Sequence, residues 1–347
     1  MSRAAIVVNP VKTDAAALRD ALEEAERRHG WEDTLWLETT EDDPGTGQTR
    51  EALEQGVDVI IAAGGDGTVR TVAEELRATD TPLALLPAGT GNLLARNLDL
   101  TLDDVEHALD TAFDGDDRPI DVGVAELREG ERTEQRVFLV MAGLGIDAQM
   151  IAATDDDLKA KAGWLAYAKA IGAVLRDKNE LRLRYQLDGG RAQSMHAHTV
   201  LVGNCGSLPA NILLLPEAAV DDGVLDIVVL RPEGFVGWLR ILVKVFWENG
   251  VLRRTSAGRR LTGAGREVRA MNYLKGRELV VTLHRPEDVE LDGDLFGRVS
   301  ALRIRVDPGA LRVRVSANRV NLTHFHPVSL SEEVGGRTPG SRTPPPP

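Results

Sequence analysis

Short strand-type segments alternate with helix-type patterns through the first 120 residues, and this alternation restricts what the chain can fold into. The strand-type segments are 4–8, 33–39, 57–63 and 82–86. Between them, Leu18 and Leu22 lie four residues apart in a helical pattern, and 49–55 and 69–78 predict two further helices. Buried strands separated by helices are typical of a parallel sheet covered on both faces. The sequence therefore predicts an α/β amino-terminal domain.

After residue 121 the pattern changes, because strand-type segments follow one another with fewer helices between them. These segments are 137–142, 181–187, 196–202, 224–230, 279–283 and 302–306, and helices are predicted near 164–176 and 235–251. We expect a mainly antiparallel second domain. The predicted boundaries are 1–121 for the first domain and 122–300 for the second. Residues 335–347 end in four prolines and are expected to be a disordered tail.

Composition and charge exclude several classes of protein. The longest charge-free apolar stretch, 137–146, is too short to span a membrane, and the first 30 residues contain acidic residues where a signal peptide would be basic and then apolar. We therefore expect a cytoplasmic protein. Residues 1–121 hold 10 Lys and Arg against 27 Asp and Glu, which argues against nucleic acid as a partner. The single cysteine, Cys205, excludes an intramolecular disulfide and is expected to be a small buried residue.

A glycine-rich segment, Gly64-Gly65-Asp66-Gly67-Thr68, follows a buried strand and begins a helix. Free backbone N–H groups and the helix dipole at such a position favour phosphate, and glycine lets the backbone approach an anion closely. A carboxylate beside phosphates is repelled unless a cation lies between them, so Asp66 suggests a Mg²⁺-nucleotide. A plain turn between strand and helix is the alternative for any single loop of this kind.

A second loop, 87–92, repeats this arrangement after the next strand. Two such loops at the carboxyl ends of neighbouring parallel strands converge on one crevice, which is where open α/β sheets bind ligands. Neither loop fits the Walker A pattern or the dinucleotide-binding glycine pattern. A hydride-transferring enzyme is therefore disfavoured.

Five motifs in one order resemble the bacterial diacylglycerol kinase and lipid kinase family, which is related to sphingosine and ceramide kinases. They are Gly64-Gly-Asp-Gly-Thr68, Pro87-x-Gly-Thr-Gly-Asn92, Ile120-Asp-Val-Gly123, Pro216-Glu-Ala-Ala-Val-Asp-Asp-Gly-Val-Leu225 and Leu291-Asp-Gly-Asp294. The resemblance spans about residues 4–325. It implies an α/β nucleotide-binding domain, a β-sandwich-like lipid-binding domain and an active site in the cleft between them. It also suggests that strands within 301–325 pack back on the first domain.

The same resemblance implies that ATP donates its γ-phosphoryl group to a lipid hydroxyl, with diacylglycerol the first substrate to consider. The residues expected at the nucleotide are Asn9, Thr40, Gly64, Gly65, Asp66, Gly67, Thr68, Val69, Arg70, Thr71, Gly89, Thr90, Gly91 and Asn92. This chain departs from the family after Asn9-Pro10, where Val11-Lys12-Thr13 replaces the usual Ser-Gly. Lys12 is either a substitute phosphate donor or an ordinary surface lysine.

Catalytic and metal-binding residues are also implied by the resemblance. Asp66 and Asp121 are expected to hold Mg²⁺ near the phosphates, and Asp292 or Asp294 to act as general base, with Asp292 slightly favoured. An Asp-Gly type I′ hairpin turn is the alternative explanation of that last motif. A structural Mg²⁺ site is expected at Asp222 with the carbonyls of Ala219 and Val224.

The lipid substrate implies peripheral contact with the inner face of the membrane. The segment 235–251 combines apolar residues with Arg240 and Lys244 and suits an anionic membrane, although packing in the protein core explains its apolar residues as well. The oligomeric state stays open, with a homodimer as one alternative. The alternative functions are an NAD kinase-like enzyme and a non-catalytic nucleotide- or lipid-binding regulator.

Overall fold

A computed structural model describes residues 2–89, 91–145, 181–208, 212–213, 215, 217–232 and 271–317. The helices are α1 Ala15–His29, α2 Thr46–Glu54, α3 Asp66–Leu76, α4 Leu93–Asn97 and α5 Val105–Asp114. The strands are β1 Ala4–Val8, β2 Leu35–Glu38, β3 Val59–Gly64, β4 Leu83–Pro87, β5 Asp116–Glu129, β6 Arg132–Phe138, β7 Met141–Leu144, β8 Leu181–Leu187, β9 Gln193–Ala197, β10 Thr199–Gly203, β11 Ser207–Leu208, β12 Ile212–Leu213, β13 Leu225–Leu230, β14 Met271–Gly276, β15 Glu278–Leu291 and β16 Asp294–Val315.

The first domain is built on four parallel strands in the order β4-β3-β1-β2. Apolar residues fill both faces of β1, because Ile6 packs with Leu18 of α1 and Leu109 of α5 while Val7 packs with Val72 of α3. Helix α1 begins where the Asp14 carboxylate accepts hydrogen bonds from two backbone N–H groups of the first turn. The α/β fold class predicted from the alternating pattern is confirmed for this domain.

The second domain is formed mainly by antiparallel strands that continue the same sheet. Among the described residues the order is β14-β13-β10-β7-β15-β16 and then β4, with β5 and β6 paired beside β16 and β8 and β9 beside β15. Strand β16 connects the two domains, since it pairs with β15 and β5 along its length and reaches β4 where Val313 lies opposite Leu83. The predicted antiparallel character of this half is confirmed.

Two strands predicted as single segments are each divided in the structure. The segment 137–142 forms the end of β6 and the start of β7, because the N–H groups of Leu139 and Val140 donate to the Asp292 carboxylate and leave the ladder. The segment 196–202 is divided between β9 and β10 at His198, whose N–H donates to the Leu230 carbonyl.

Four strands lie outside the predicted segments, and they are β5, β11, β12 and β14. The predicted boundary between residues 121 and 122 lies inside the 14-residue strand β5, which pairs with β16. Strands β11 and β12 pair with each other. Strand β14 pairs with β13. The predicted helices 164–176 and 235–251 and the tail 335–347 lie outside the described residues.

Cys205 is buried, as predicted, and its thiol donates to the Leu139 carbonyl over 3.4 Å. Burial raises the pKa of this thiol, so it remains protonated at neutral pH. In the described part of the chain, we find no helix with the length and apolar character needed to cross a bilayer.

We predict that Gly123→Ala destabilises the protein by about 1–3 kcal/mol, because small-to-large changes in a packed core force side chains out of place. Gly123 lies opposite Phe138 in the β5–β6 ladder, and a methyl group added there would overlap the Phe138 ring. Urea denaturation would measure the loss. In a Phe138→Leu background the same glycine change should be less destabilising, and an equal loss in both backgrounds would contradict this explanation.

Candidate active site

The carboxyl ends of β1 to β4 lie at one edge of the first sheet, and the predicted nucleotide residues follow them. Asn9 follows β1 and donates its backbone N–H to the Ala63 carbonyl at 2.9 Å, whereas Thr40 lies just beyond β2. The two glycine-rich loops follow β3 and β4, which pair in parallel up to Gly64 opposite Pro87. The parallel register therefore gathers four separate chain segments at one place.

The two glycine-rich loops touch each other. A side chain at Gly89 would place its Cβ atom 2.8 Å from the Cα atom of Gly65. In the second loop, the side-chain amide of Asn92 donates to the Gly89 carbonyl at 2.7 Å, and its oxygen accepts from the Gly89 N–H at 3.2 Å. Glycine is required here for close backbone approach. Thr90 lies outside the described residues.

Asp66 is the first residue of α3 and connects the two loops. Its Oδ1 atom accepts a hydrogen bond from the Leu93 N–H at 2.6 Å, and a side chain at Gly91 would collide with its Oδ2 atom. Burial raises the pKa of Asp66, backbone N–H groups at Leu93 and Asn92 oppose this rise, and the charge of Asp294 adds to it. The charge of Asp294 therefore contributes to the electrostatic environment of Asp66.

Asp294 reaches this edge from the other domain. It begins β16 just after the hairpin, and a Cβ atom added at Gly67 would lie 3.1 Å from its Oδ2 atom. Arg70 of α3 donates from Nη2 to the same oxygen at 2.6 Å. The side chain of Asp294 is 52% exposed. The structure thus brings two of the predicted acids, Asp66 and Asp294, together at the start of α3.

Asp292 has a different environment, although it is only two residues away. Its carboxylate is buried, and it accepts hydrogen bonds of 2.8–2.9 Å from three consecutive N–H groups, those of Leu139, Val140 and Met141. Its backbone has a φ of 50° and Gly293 a φ of 91°, the left-handed pair that a two-residue type I′ hairpin requires. The Leu291-Asp-Gly-Asp294 motif therefore forms the type I′ hairpin turn that the sequence analysis gave as its alternative explanation.

Asp121 is also buried and also binds backbone groups. Its Oδ2 atom accepts from the Gly223 N–H at 2.6 Å and its Oδ1 atom from the Gly309 N–H at 2.8 Å. These contacts connect β5 to the loop before β13 and to the irregular part of β16. The described contacts thus place Asp121 with this loop and strand, and its predicted role as a Mg²⁺ ligand stays a prediction.

Three residues of α3 that were predicted at the nucleotide have local roles. The Val69 side chain is buried in the core of the first domain, which leaves only its backbone for a ligand. Thr71 donates its hydroxyl to the Gly67 carbonyl at 2.9 Å. The Thr68 side chain covers Gly64, where an added Cβ atom would lie 2.7 Å from the Thr68 hydroxyl oxygen.

Lys12, which the sequence left open as a phosphate donor, lies at the first glycine-rich loop. A Cβ atom added at Gly65 would lie 2.7 Å from the Lys12 Nζ atom. The preceding loop is held by Asn9, whose Oδ1 atom accepts from the Val11 N–H at 3.1 Å. The ammonium group therefore adds positive charge to the edge where Asp66 lies.

The sequence analysis missed the contact between Arg70 and Asp294 and the role of Phe296. The Arg70 guanidinium carbon lies 4.4 Å from the centre of the Phe296 ring. The alternation of side chains along a strand places Asp294 and Phe296 on one face of β16, and this spacing is the signal that could have indicated Phe296.

The predicted structural metal site lies in the loop before β13. Asp222 is exposed, and its Oδ1 atom accepts from the Val224 N–H at 3.2 Å. Within the described ranges, His, Cys, Asp and Glu side chains form no group of three or more that could hold a metal ion. A cation here would therefore depend on Asp222 and on main-chain carbonyls such as those of Ala219 and Val224, which are oxygen donors of the kind Mg²⁺ accepts.

Comparison with known proteins identifies both halves of the chain. Residues 3–125 match the diacylglycerol kinase catalytic domain, and residues 140–315 match the YegS C-terminal NAD kinase beta sandwich-like domain. The Pseudomonas aeruginosa (strain UCBPP-PA14) protein named "Probable lipid kinase YegS-like" is 31% identical over 313 residues, which cover 88% of this chain and 90% of that protein. The diacylglycerol kinase of Bacillus subtilis (strain 168) is 27% identical over 305 residues, with coverage of 86% and 91%.

The solved structures show the same fold. A crystal structure of a diacylglycerol kinase from Bacillus anthracis str. Sterne aligns with a TM-score of 0.62 at 18% identity and covers 91% of this chain and 97% of that one. The fold and the site define a two-domain kinase with a catalytic α/β domain and a β-sandwich-like second domain. The chain belongs to the diacylglycerol kinase and lipid kinase family, as its motifs predicted.

We predict that the stability difference between the wild type and Asp292→Asn depends on pH. Burial raises the pKa of Asp292 from 3.8 to about 6 against the opposing effect of three backbone N–H groups. The folded state holds this proton more tightly than the unfolded state does. Protonated Asp292 therefore adds to the free energy of unfolding at low pH, with its full effect below the unfolded pKa of 3.8, and this effect is lost as the pH rises through 6. The wild type should therefore lose about 2 kcal/mol relative to the variant between pH 4 and pH 7.

Urea denaturation at several pH values would measure this difference. The asparagine variant has nearly the same shape and does not titrate, so it isolates the carboxyl group. The trend should persist at high salt, because screening weakens exposed charges far more than buried ones. A difference that stays constant with pH would contradict the prediction.

Proposed function

We propose that this kinase uses ATP and Mg²⁺ to phosphorylate the hydroxyl group of a membrane lipid, most favourably that of diacylglycerol to give phosphatidic acid. The observation that carries the proposal is the position of Asp294. This acid of the second domain lies against the first turn of α3, beside Asp66 and the paired glycine-rich loops. An exposed carboxylate thus lies beside loops that are suited to bind phosphate, which supports phosphoryl transfer at this position.

The nucleotide phosphates would bind at the edge formed by β1 to β4. Helix α3 is 11 residues long, and its amino-terminal N–H groups and dipole favour an anion at the Gly65–Gly67 segment. The contact between Gly65 and Gly89 keeps side chains out of this space. Lys12 adds a positive charge at the same loop, in the position where the family has Ser-Gly.

The oxygen donors at this site fit Mg²⁺. Asp66 and Asp294 are two carboxylates close enough for the charge of one to raise the pKa of the other, and a divalent cation would relieve that repulsion. When bound, Mg²⁺ would neutralise charge on the phosphates. Asp66 would orient it, whereas the contacts of Asp121 suit a structural connection between loops.

We assign the general base to Asp294 in place of Asp292. Both oxygens of the Asp292 carboxylate already accept backbone hydrogen bonds in a buried position, so they cannot reach a lipid hydroxyl without breaking them. The Asp294 side chain is 52% exposed, and only its Oδ2 atom accepts a hydrogen bond from the described residues. Its Oδ1 atom is therefore the one that would take the hydroxyl proton, although this side chain is one methylene shorter than the usual Glu.

One exposed apolar residue lies beside the proposed reaction site. Val11, which precedes Lys12, is 92% exposed, whereas Leu295, which is 53% exposed, lies on the face of β16 opposite to Asp294. Apolar side chains in water next to a charged site favour contact with acyl chains. Val11 therefore supports binding of the lipid from the inner face of the membrane by a cytoplasmic protein.

We predict that Asp294→Asn lowers the rate of lipid phosphorylation by about 10²–10⁴-fold, because a general base contributes a factor of this size. Transfer of labelled phosphate from ATP to diacylglycerol in vesicles would measure it, with ceramide, sphingosine and NAD as other acceptors. Asp288→Asn is the control, since it removes an exposed carboxylate from the same pair of strands.

The two variants should have the same melting temperature. An Asp294→Asn variant with full activity would exclude this residue as the base. If the wild type labels NAD and no lipid, the enzyme is an NAD kinase, and if it labels no acceptor while binding ATP, it is a regulator.

We predict that Lys12→Met weakens ATP binding by about 10–100-fold, because a charge-assisted contact contributes roughly 1.5–3 kcal/mol. Calorimetric titration with ATP would measure the change. Lys12→Arg should bind nearly as well as the wild type. Arg19→Met is the control, since that cation lies over the Trp36 ring, and unchanged affinity of Lys12→Met would contradict the assignment.

A further inference from the structure

Arg70 connects the two domains at the proposed reaction site. It is the fifth residue of α3, yet its Nη2 atom donates to the Oδ2 atom of Asp294, 224 residues away in the chain, at 2.6 Å. The Arg70 side chain is only 10% exposed. The cation is therefore largely withdrawn from water and directed to a carboxylate of the other domain.

Phe296 fixes the direction of this guanidinium group. The ring lies under the Arg70 guanidinium with 4.4 Å between the guanidinium carbon and the ring centre, and the Arg136 guanidinium approaches the same ring at 5.9 Å. Arginine over an aromatic face is held by electrostatic attraction. Because Phe296 and Asp294 belong to the same strand, the ring and the carboxylate hold Arg70 from one side.

The charges around Asp294 require such a cation. Asp66 is close enough to be repelled by it, and a nucleotide at the glycine-rich loops would add further negative charge. Without compensation, the Asp294 side chain would turn towards water. The bond from Arg70 occupies Oδ2 and leaves Oδ1 uncovered by the described residues, which is the arrangement that a base needs.

We infer that Arg70 is a positioning residue that acts through Asp294, holding its carboxylate beside Asp66 with one oxygen available for the lipid hydroxyl. The inference rests on the proposed function and assigns to Arg70 a role other than nucleotide binding. A purely structural ion pair is the competing explanation. The chain offers a matched example of one, because Arg77 at the end of α3 pairs with Asp307 of β16 at 2.8 Å.

Four variants separate these explanations: Arg70→Met, Arg70→Lys, Arg77→Met and the double variant Arg70→Met/Asp294→Asn. Each would be assayed as the full chain for kcat and KM with ATP and diacylglycerol vesicles, for ATP affinity by calorimetry and for melting temperature. Misplacement of a reacting group by about 1 Å lowers rates by about 100-fold. We therefore expect Arg70→Met to lower kcat by about 10–100-fold with ATP affinity within about twofold of the wild type.

Three further results are expected. Arg70→Lys should recover much of the lost kcat. When Asp294 is already Asn, Arg70→Met should change kcat by less than about twofold, because the effects of substituting two residues that act as a unit do not add. Arg77→Met should leave kcat unchanged.

A loss of ATP affinity in Arg70→Met with unchanged kcat would overturn the inference in favour of a phosphate contact. Equal effects of Arg70→Met and Arg77→Met, or full additivity with Asp294→Asn, would overturn it in favour of a structural pair.

Hydrogen–deuterium exchange of residues 289–297 tests the same inference without turnover. Exchange should be faster in Arg70→Met than in the wild type and unchanged in Arg77→Met. If the wild type phosphorylates no lipid, the proposed function fails and this measurement still decides the role of Arg70. In that case, unchanged exchange of residues 289–297 in Arg70→Met would overturn the positioning role of Arg70.

Discussion

The buried carboxylate of Asp292 determines the geometry of the site, because it gathers three consecutive N–H groups at the junction of β6 and β7. These bonds end one strand, begin the next and fix the hairpin between β15 and β16. The Asp292 N–H completes the connection by donating to the Met141 carbonyl at 2.8 Å. Asp294 can lie against α3 only because this hairpin is held at its base. A buried acid bound to backbone N–H groups therefore sets the position of the acid that is proposed to act as the base.

Four aspartates of the family motifs have four environments in this protein. Asp66 connects two loops at the end of the first sheet, and Asp121 connects β5 to a loop and to β16. Asp292 supports the hairpin, and Asp294 is exposed and faces Arg70. Backbone N–H groups bond to the buried acids and offset part of the cost of burying their charge, although the pKa values of Asp66 and Asp292 remain raised. Motif membership alone does not separate a structural acid from a reactive one, whereas hydrogen-bond partners do.

The sequence predicted the first domain well, because strands such as β1 and β3 are apolar throughout and are separated by helices with a clear period. Motif order also located the glycine-rich loops and the acids near them. The division of 137–142 into two strands could not be predicted, since it depends on Asp292, more than 150 residues further along the chain. The contact between Arg70 and Asp294 could not be predicted for a similar reason. Arg70 and Asp294 are in contact although 224 residues separate them in the sequence, and the periodic spacing of residues within an element does not predict contacts between distant elements.

The long strand β16 has a mechanical consequence. It is 22 residues long, and its hydrogen bonds join β15, β5 and β4 into one continuous sheet across both domains. Rotating one domain about the other would break part of that ladder, so a hinge of the kind found in many kinases is energetically opposed here. The strand pairing therefore opposes relative rotation of the two domains.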